Sequence, residues 1–416
     1  LWGFFHIRQI ITFAFVKHLV IIGLVIPEPN STAAGSRMMQ LIRLFEESNY
    51  KITFLTSASN LEFSESIPFQ KIELNDSCFD DLIKNLDPDI VLFDRYITEE
   101  QYGWRVSENC PNSLKILDTE DLHFLREARR KAFSEKREAD FPDFINDIFK
   151  REMASILRCD LSLIISEFEY NLLIDVFKIN PEILFYIPFL SGNNTKSNVS
   201  FEKRKNFLSI GNFLHEPNWQ TVLRLKKIWK NIRKNLPETE IHIYGAYASE
   251  KVYQLHNEKE GFIIKGRADS VEKIFNKYRI LLAPIPFGAG LKGKLWESMT
   301  FGIPNITSSA GAEAMSGNLE WNGFIENSEE NFIEKSILLY QDQTLWEKSQ
   351  ENGYKILKKV YNKDFYCKKL QETISHLENR LCNHRYSNFL GQILQHHQLN
   401  STKYLSRWIE EKNKKK

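Results

Sequence analysis

The sequence predicts a two-domain α/β protein with a mostly parallel sheet in each half. Three observations carry this. Short apolar runs ending near Gly, Pro or Asp recur and alternate with segments at helical spacing. At 416 residues and 48.9 kDa the chain exceeds what one hydrophobic core usually organises. A polar stretch from Leu190 to Lys205 separates two such alternating sets.

The first set begins with Lys17 to Ile26, whose unbroken apolar run reads as a strand buried on both faces. Residues 1–16 form an extension whose role the sequence leaves open. They are apolar, but Arg8, Lys17 and His18 break the clean run that a signal peptide or membrane anchor needs. Pro27 to Ser36 is a loop of small and turn-forming residues, and a helix follows from about Gly35 to Glu47. Further strands are predicted at Lys51–Thr56, Asp89–Phe93, Leu114–Leu117, Leu161–Ser166 and Ile183–Tyr186. Residues 17–190 are therefore the first domain and 191–205 the linker.

The second domain, 206–363, repeats the pattern. Strands are expected at Phe207–Ile210, Glu240–Tyr244, Phe262–Lys265, Ile280–Ala283 and Pro304–Thr307. Helices are expected at Trp219–Lys234, at Val271–Tyr278, from near Lys292, and from about Glu329 to Lys359. A polar helical tail, 364–416, ends in a lysine-rich tip. That tip suits anionic lipid headgroups, although a solvated, frayed terminus is the simpler reading.

Composition removes several function classes. A content of 42% hydrophobic and 26% charged residues fits a folded globular protein, and a formal net charge of +1 lacks a nucleic-acid footprint. Five cysteines without a CxxC pair indicate neither a redox motif nor a zinc knuckle. They fit a reducing, cytoplasmic setting. Asp87-Pro-Asp89 has the spacing of a metal-holding carboxylate pair, but its proline before a strand reads as a turn. No metal is expected.

The candidate site lies between Pro284 and Pro304. An apolar strand ends there, and Gly288 and Gly290 permit tight turns and close backbone approach to a ligand. A helix then opens with unsatisfied N–H groups suited to a diphosphate. Lys292 and Lys294 add positive charge. Glu297, three residues beyond Lys294 on the same side of the helix, can accept both hydroxyls of a ribose. Together these describe a nucleotide diphosphate site. In a doubly wound fold such a site lies beyond the carboxyl ends of the strands, and two facing domains form a cleft suited to joining two substrates.

These residues resemble the donor domain of the group 1, or family 4, retaining glycosyltransferases. Glu297-Ser-Met-Thr-Phe-Gly-Ile-Pro-Asn-Ile306 is similar to that family's "E-A-M-A-x-G-x-P-V-V", and Ser308 to Glu313 to its "S-x-x-G-A-E". Gly211 to Asn218 resembles the opening of the donor domain in the branch with a "G-x-G-(I/L)-K-x-K" turn. The resemblance implies the GT-B fold, with two Rossmann-like domains facing across a cleft. It also implies transfer of a sugar from a nucleotide diphosphate donor to a glycan or lipid-linked acceptor, with retention and without a further cofactor. The setting is surface polysaccharide or glycoconjugate synthesis, in the cytoplasm or peripherally at the inner membrane face.

The donor residues so implied are Gly211, Gly288, Ala289, Gly290, Leu291, Lys292, Lys294 and Glu297. Lys294 is the first choice for stabilising the leaving diphosphate, assisted by Lys292 or Arg37. On the acceptor side, Leu117 to Arg126 resembles a cleft segment of this branch. There Asp121 and His123 are the polar residues expected to face the acceptor. Asp121 reads equally as a helix cap. His123 reads as an orienting residue first and a base second. The cluster Arg126, Arg129, Arg130 and Lys131 reads as a solvated helix face. One departure stands out: where many members carry a first glutamate contacting the sugar, this chain has Ala289. Two other functions stay open: a nucleotide-sugar epimerase on the same scaffold and, because of Ala289, a non-catalytic sugar-nucleotide or glycan-binding protein.

Overall fold

A computed structural model of the chain describes residues 16–28, 32–58, 68–192, 196–268 and 270–414. The N-terminal extension, apart from Val16, lies outside the described residues, as do the middle of the loop after the first strand and the last two lysines.

The first domain holds seven parallel strands: β1 His18–Gly23, β2 Lys51–Thr56, β3 Phe69–Lys71, β4 Ile90–Asp94, β5 Leu114–Asp118, β6 Leu161–Ile164 and β7 Leu184–Tyr186. Their order is β3-β2-β1-β4-β5-β6-β7. The second domain holds six: β8 Lys205–Ile210, β9 Ile241–Tyr244, β10 Phe262–Gly266, β11 Tyr278–Ala283, β12 Asn305–Thr307 and β13 Gly323–Ile325, in the order β10-β9-β8-β11-β12-β13. The short edge strands β3 and β13 were not expected.

The apolar runs form strands because both faces of each sheet are covered. Along β1, Val20 and Ile22 join one core while Leu19 and Ile21 join the other. The same alternation along β11 sends Leu281 and Ala283 to one side and Ile280 and Leu282 to the other. This period of two needs apolar residues at every position.

The C-terminal segment does not trail free. After the second domain the chain returns beside the outgoing linker, where Ser191 N–H donates to Tyr361 O (2.7 Å) and Lys363 N–H to Ser191 O (3.1 Å). Helix Lys363–Asn379 then lays Leu370, Ile374 and Leu377 against Leu19, Ile21 and Leu92 of the first domain. Helix Phe389–Lys414 packs on helices Arg95–Asn109 and Asp147–Arg158 of the same domain. Helical order continues to Lys414, well into the tip read from sequence as frayed.

Candidate functional site

The carboxyl ends of both sheets face one cleft, with about 1330 Å³ of empty space including its mouth. Two helices start at its floor. Helix Ala33–Glu47 is capped by Thr32, whose Oγ1 accepts from Gly35 N–H at 2.9 Å. Helix Gly293–Thr300 begins directly opposite. A Cβ on Gly293 would sit 2.7 Å from Ala33 Cβ, so the two N-termini touch only because residue 293 is glycine. Both helix dipoles thus present their positive ends to one point, the arrangement that binds an anion.

The predicted donor residues gather around this point. Lys294 Nζ donates to Asn218 Oδ1 at 2.7 Å. Gly211 leaves it room, since a Cβ there would lie 2.8 Å from that Nζ. Burial lowers the Lys294 ammonium to about 8, opposed by Glu297. Burial likewise raises the Glu297 carboxyl to about 7, opposed by Lys294. Lys292 behaves differently. Its Nζ donates to the carbonyls of Ala289 (3.1 Å) and Gly290 (2.7 Å), so it staples the turn that carries it. Gly288, Ala289 and Leu291 line the cleft beside it.

Gly290 has φ +60, and a Cβ there would lie 2.7 Å from Asp121 Cβ in the opposite domain. Gly290→Ala is therefore expected to strain the turn and prise the domains apart, raising the donor Kd by about tenfold or more. Donor titration of the folded variant checks this.

The acceptor-side residues are arranged by carboxylates that the sequence reading did not single out. Asp121 lines the cleft and accepts from Arg126 Nη1 at 2.6 and 2.8 Å. It does not cap the following helix. That task falls to Glu152, which accepts from His123 N–H (3.1 Å) and Phe124 N–H (3.0 Å). Burial works against a charge on Asp121, yet Arg126 and the neighbouring cations hold its carboxyl below the usual range. His123 lies behind Asp121 and is not part of the cleft lining. Its Nδ1 contacts Asp121 O (3.0 Å) and Glu152 Oε1 (3.1 Å). Burial disfavours its charge, but the two carboxylates raise its pKa overall.

Arg37 lines the cleft but is committed elsewhere. Its Nε donates to both oxygens of Asp118 (2.9 and 3.1 Å) and its Nη1 to Ile187 O (2.8 Å). Nη2 lies 2.8 Å from Asp118 without a hydrogen-bonding angle. The basic cluster also divides. Arg130 is an exposed partner of Glu127, as a solvated face requires. Arg129 instead turns across the cleft, to Gly288 O (2.7 Å) and bidentately to Glu313 (2.7 and 2.8 Å).

Glu169 completes the contact between the domains. Its Oε1 accepts from Gly290 N–H (2.7 Å) and Leu122 N–H (3.2 Å), while Oε2 has no hydrogen-bond partner among the described residues. Burial and the charge of Asp121 push this carboxyl up to about 8. His215 also lines the cleft, with burial lowering its pKa. Among the described residues no group of three or more His, Cys, Asp and Glu side chains gathers as a metal site.

A family model described as "Glycosyl transferases group 1" matches residues 204–342, a third of the chain and most of the second domain. No match was found among curated protein sequences. Solved structures resemble the whole architecture. Sucrose-phosphate synthase from Thermosynechococcus elongatus aligns with a TM-score of 0.69 at 12% identity, covering 87% of this chain and 99% of that one. The pneumococcal O-GlcNAc transferase GtfA, solved with UDP and GlcNAc, gives 0.65 at 13%, with the same coverage. A TarM mutant from S. aureus, solved with Fondaparinux, alpha-GlcNAc-glycerol and UDP, gives 0.57 at 14%. There the alignment covers 71% of this chain and spans 58% of that protein's length. The fold is GT-B, with two parallel-sheet domains facing across a cleft.

Proposed function

We propose that the protein transfers a sugar from a nucleotide diphosphate donor to a hydroxyl of a glycan or lipid-linked acceptor, with retention at the anomeric carbon. The observation that carries this reading is the meeting of two helix N-termini at Gly293 and Ala33, with Lys294 beside them and Glu297 one turn on. A diphosphate suits the positive potential of this point, and the ribose supplies hydroxyls for the Glu297 carboxylate. In the transition state negative charge grows on the leaving diphosphate. Preorganised N–H groups and the Lys294 ammonium stabilise that charge more than they stabilise the ground state. The acceptor enters from the side of Asp121. In the retaining route the leaving phosphate itself takes the acceptor proton, which leaves His123 to orient Asp121.

Ala289 offers no carboxylate to the transferred sugar. The backbone N–H groups around Leu291 take that contact in this reading. Three of the similar solved structures hold UDP, so uridine nucleotides are the first donors to test.

The test is calorimetric titration across nucleotide sugars, followed by mass spectrometry of products from glycan acceptors. Glu297→Ala is expected to weaken binding of the matching donor about 10- to 100-fold, because the ribose hydroxyls lose a buried acceptor. Unchanged affinity would overturn the assigned site. A free sugar isomer in place of a new glycosidic linkage would identify an epimerase, and donor binding without any product a binding protein.

A further inference from the structure

One surface of the molecule has no part in the cleft. Of the twenty exposed large apolar side chains among the described residues, seven lie between Tyr386 and Trp408. Tyr386, Phe389, Tyr404 and Trp408 are 78%, 63%, 66% and 59% exposed. The pattern follows from how helix Phe389–Lys414 is fixed. Its inner row packs on the first domain, where Gly391 sits against Leu157 O, Gln398 Nε2 donates to Glu100 O (2.9 Å) and Ser406 accepts from Arg105 (3.2 Å). Leu390, Ile393, His397, Tyr404 and Trp408 are spaced by three, four or seven residues, so they share the opposite, solvent-facing row. A helix of 26 residues spans about 39 Å, so this row is a long convex strip rather than a groove.

The charge of this segment names its partner. From Arg380 to Lys416 there are eight Lys and Arg against two Glu. Arg380, Arg385, Lys403 and Arg407 pair with Glu182, Asp160, Glu108 and Asp80 of the first domain, so the outward positive charge is the lysine-rich tip beyond Trp408. Lys412 lies over the Trp408 ring at 5.0 Å, which joins the basic tip to the apolar row. A nucleic acid would have no use for a row of Leu, Ile and Phe. A lipid surface with anionic headgroups satisfies both features, taking the Trp, Tyr and aliphatic side chains at the acyl boundary and the lysines at the phosphates. No described helix is long and apolar enough to cross a membrane, so the contact is one of lying on the surface.

We infer that the outer face of the C-terminal helices, from Tyr386 to Lys414, docks the first domain onto an anionic lipid surface. This goes beyond the sugar-transfer reading and does not depend on it. It does imply that an acceptor carried by a lipid would meet the domain that lies against the membrane.

Cosedimentation of the full chain with vesicles tests the inference. One set is phosphatidylcholine alone, the other an equal mixture with phosphatidylglycerol. The protein is expected to partition onto the mixed vesicles about tenfold more strongly or better. Ile393→Glu combined with Trp408→Glu should abolish binding, with circular dichroism confirming the fold, since both side chains point to solvent. Lys412→Glu should weaken anionic binding about fivefold. A protein that stays in the supernatant with both vesicle types would overturn the inference, as would equal binding by the double variant. A dimer in sedimentation velocity that the double variant dissolves would overturn it too, by making a second copy the occupant.

Discussion

Lys294→Ala is expected to lower the turnover number about 10²- to 10³-fold while changing donor affinity far less. The reason lies in what surrounds the ammonium. Lys294 Nζ has a neutral hydrogen-bond partner, Asn218, and burial already holds its pKa at about 8. Its direct hydrogen-bond partner is neutral and the nearby Glu297 offsets its burial only in part, so in the proposed reaction charge growing on the leaving diphosphate strengthens its interaction in the transition state. Below about 8 the group carries its proton, and as pH rises through that value the charge and the rate are lost. On the acid side, Glu297 loses its negative charge as pH falls through about 7. The kcat/KM for donor should therefore be bell-shaped, with a narrow optimum between these values. Lys294→Arg, whose charge persists, should keep part of the rate and move the alkaline limb upward. Initial rates across pH for the three proteins check this, and an unchanged kcat in Lys294→Ala would remove the residue from the chemistry.

Arg37→Leu should act on stability before it acts on catalysis. The Arg37–Asp118 pair is buried at the end of β5, with Arg37 2% exposed and Asp118 fully enclosed. Removing the guanidinium leaves a buried carboxylate uncompensated, a loss of about 3–5 kcal/mol. Burial already pushes the Asp118 carboxyl up, against the pull of Arg37. Without Arg37 it rises further. The folded variant then holds a proton that the unfolded chain releases, so its stability falls as pH rises and recovers toward acid. Urea unfolding at several pH values measures this. Replacing Asp118 by leucine as well should restore most of the loss, because two packed apolar side chains avoid the desolvation. A variant as stable as the parent protein would leave Arg37 free for the role in the cleft that the sequence suggests.

The contrast between these two residues shows what the sequence could and could not reveal. Lys294 could be singled out because its motif is local: Gly288, Gly290, Lys292 and Glu297 lie within ten residues on one strand–turn–helix unit, although its hydrogen-bond partner Asn218 is 76 residues away. The long strands were legible for the same reason, since Leu19 to Ile22 in β1 and Ile280 to Ala283 in β11 are apolar at every position and so fit between two helical layers. β3 and β13 are edge strands of three residues each, none of them buried, so their sequences carry no burial pattern. Arg37 finds Asp118 at a separation of 81 residues and Arg129 finds Glu313 at 184. Glu169, which holds Gly290 from 121 residues away, lies in no motif at all. Partners of this kind are created by the tertiary fold, within the first domain for Arg37 and Asp118 and between the domains for the other two, and local pattern carries no trace of it. Asp121 shows how the two sources combine. Its place beside the cleft was expected, but the helix cap expected of it belongs to Glu152, a residue from a different helix.

The position of helix Lys363–Asn379 bears on how the protein is made. Leu370, Ile374 and Leu377 close one face of the first sheet, yet they leave the ribosome after the whole second domain. During synthesis β1 to β7 therefore wait with that layer covered by helix Ala33–Glu47 but not by these three side chains, while nearly two hundred further residues are added. Domains generally fold as units in order of emergence, and exposed sheet faces are where nascent chains go astray. For this chain the order is reversed: the second domain has everything it needs first, and the first domain is finished last.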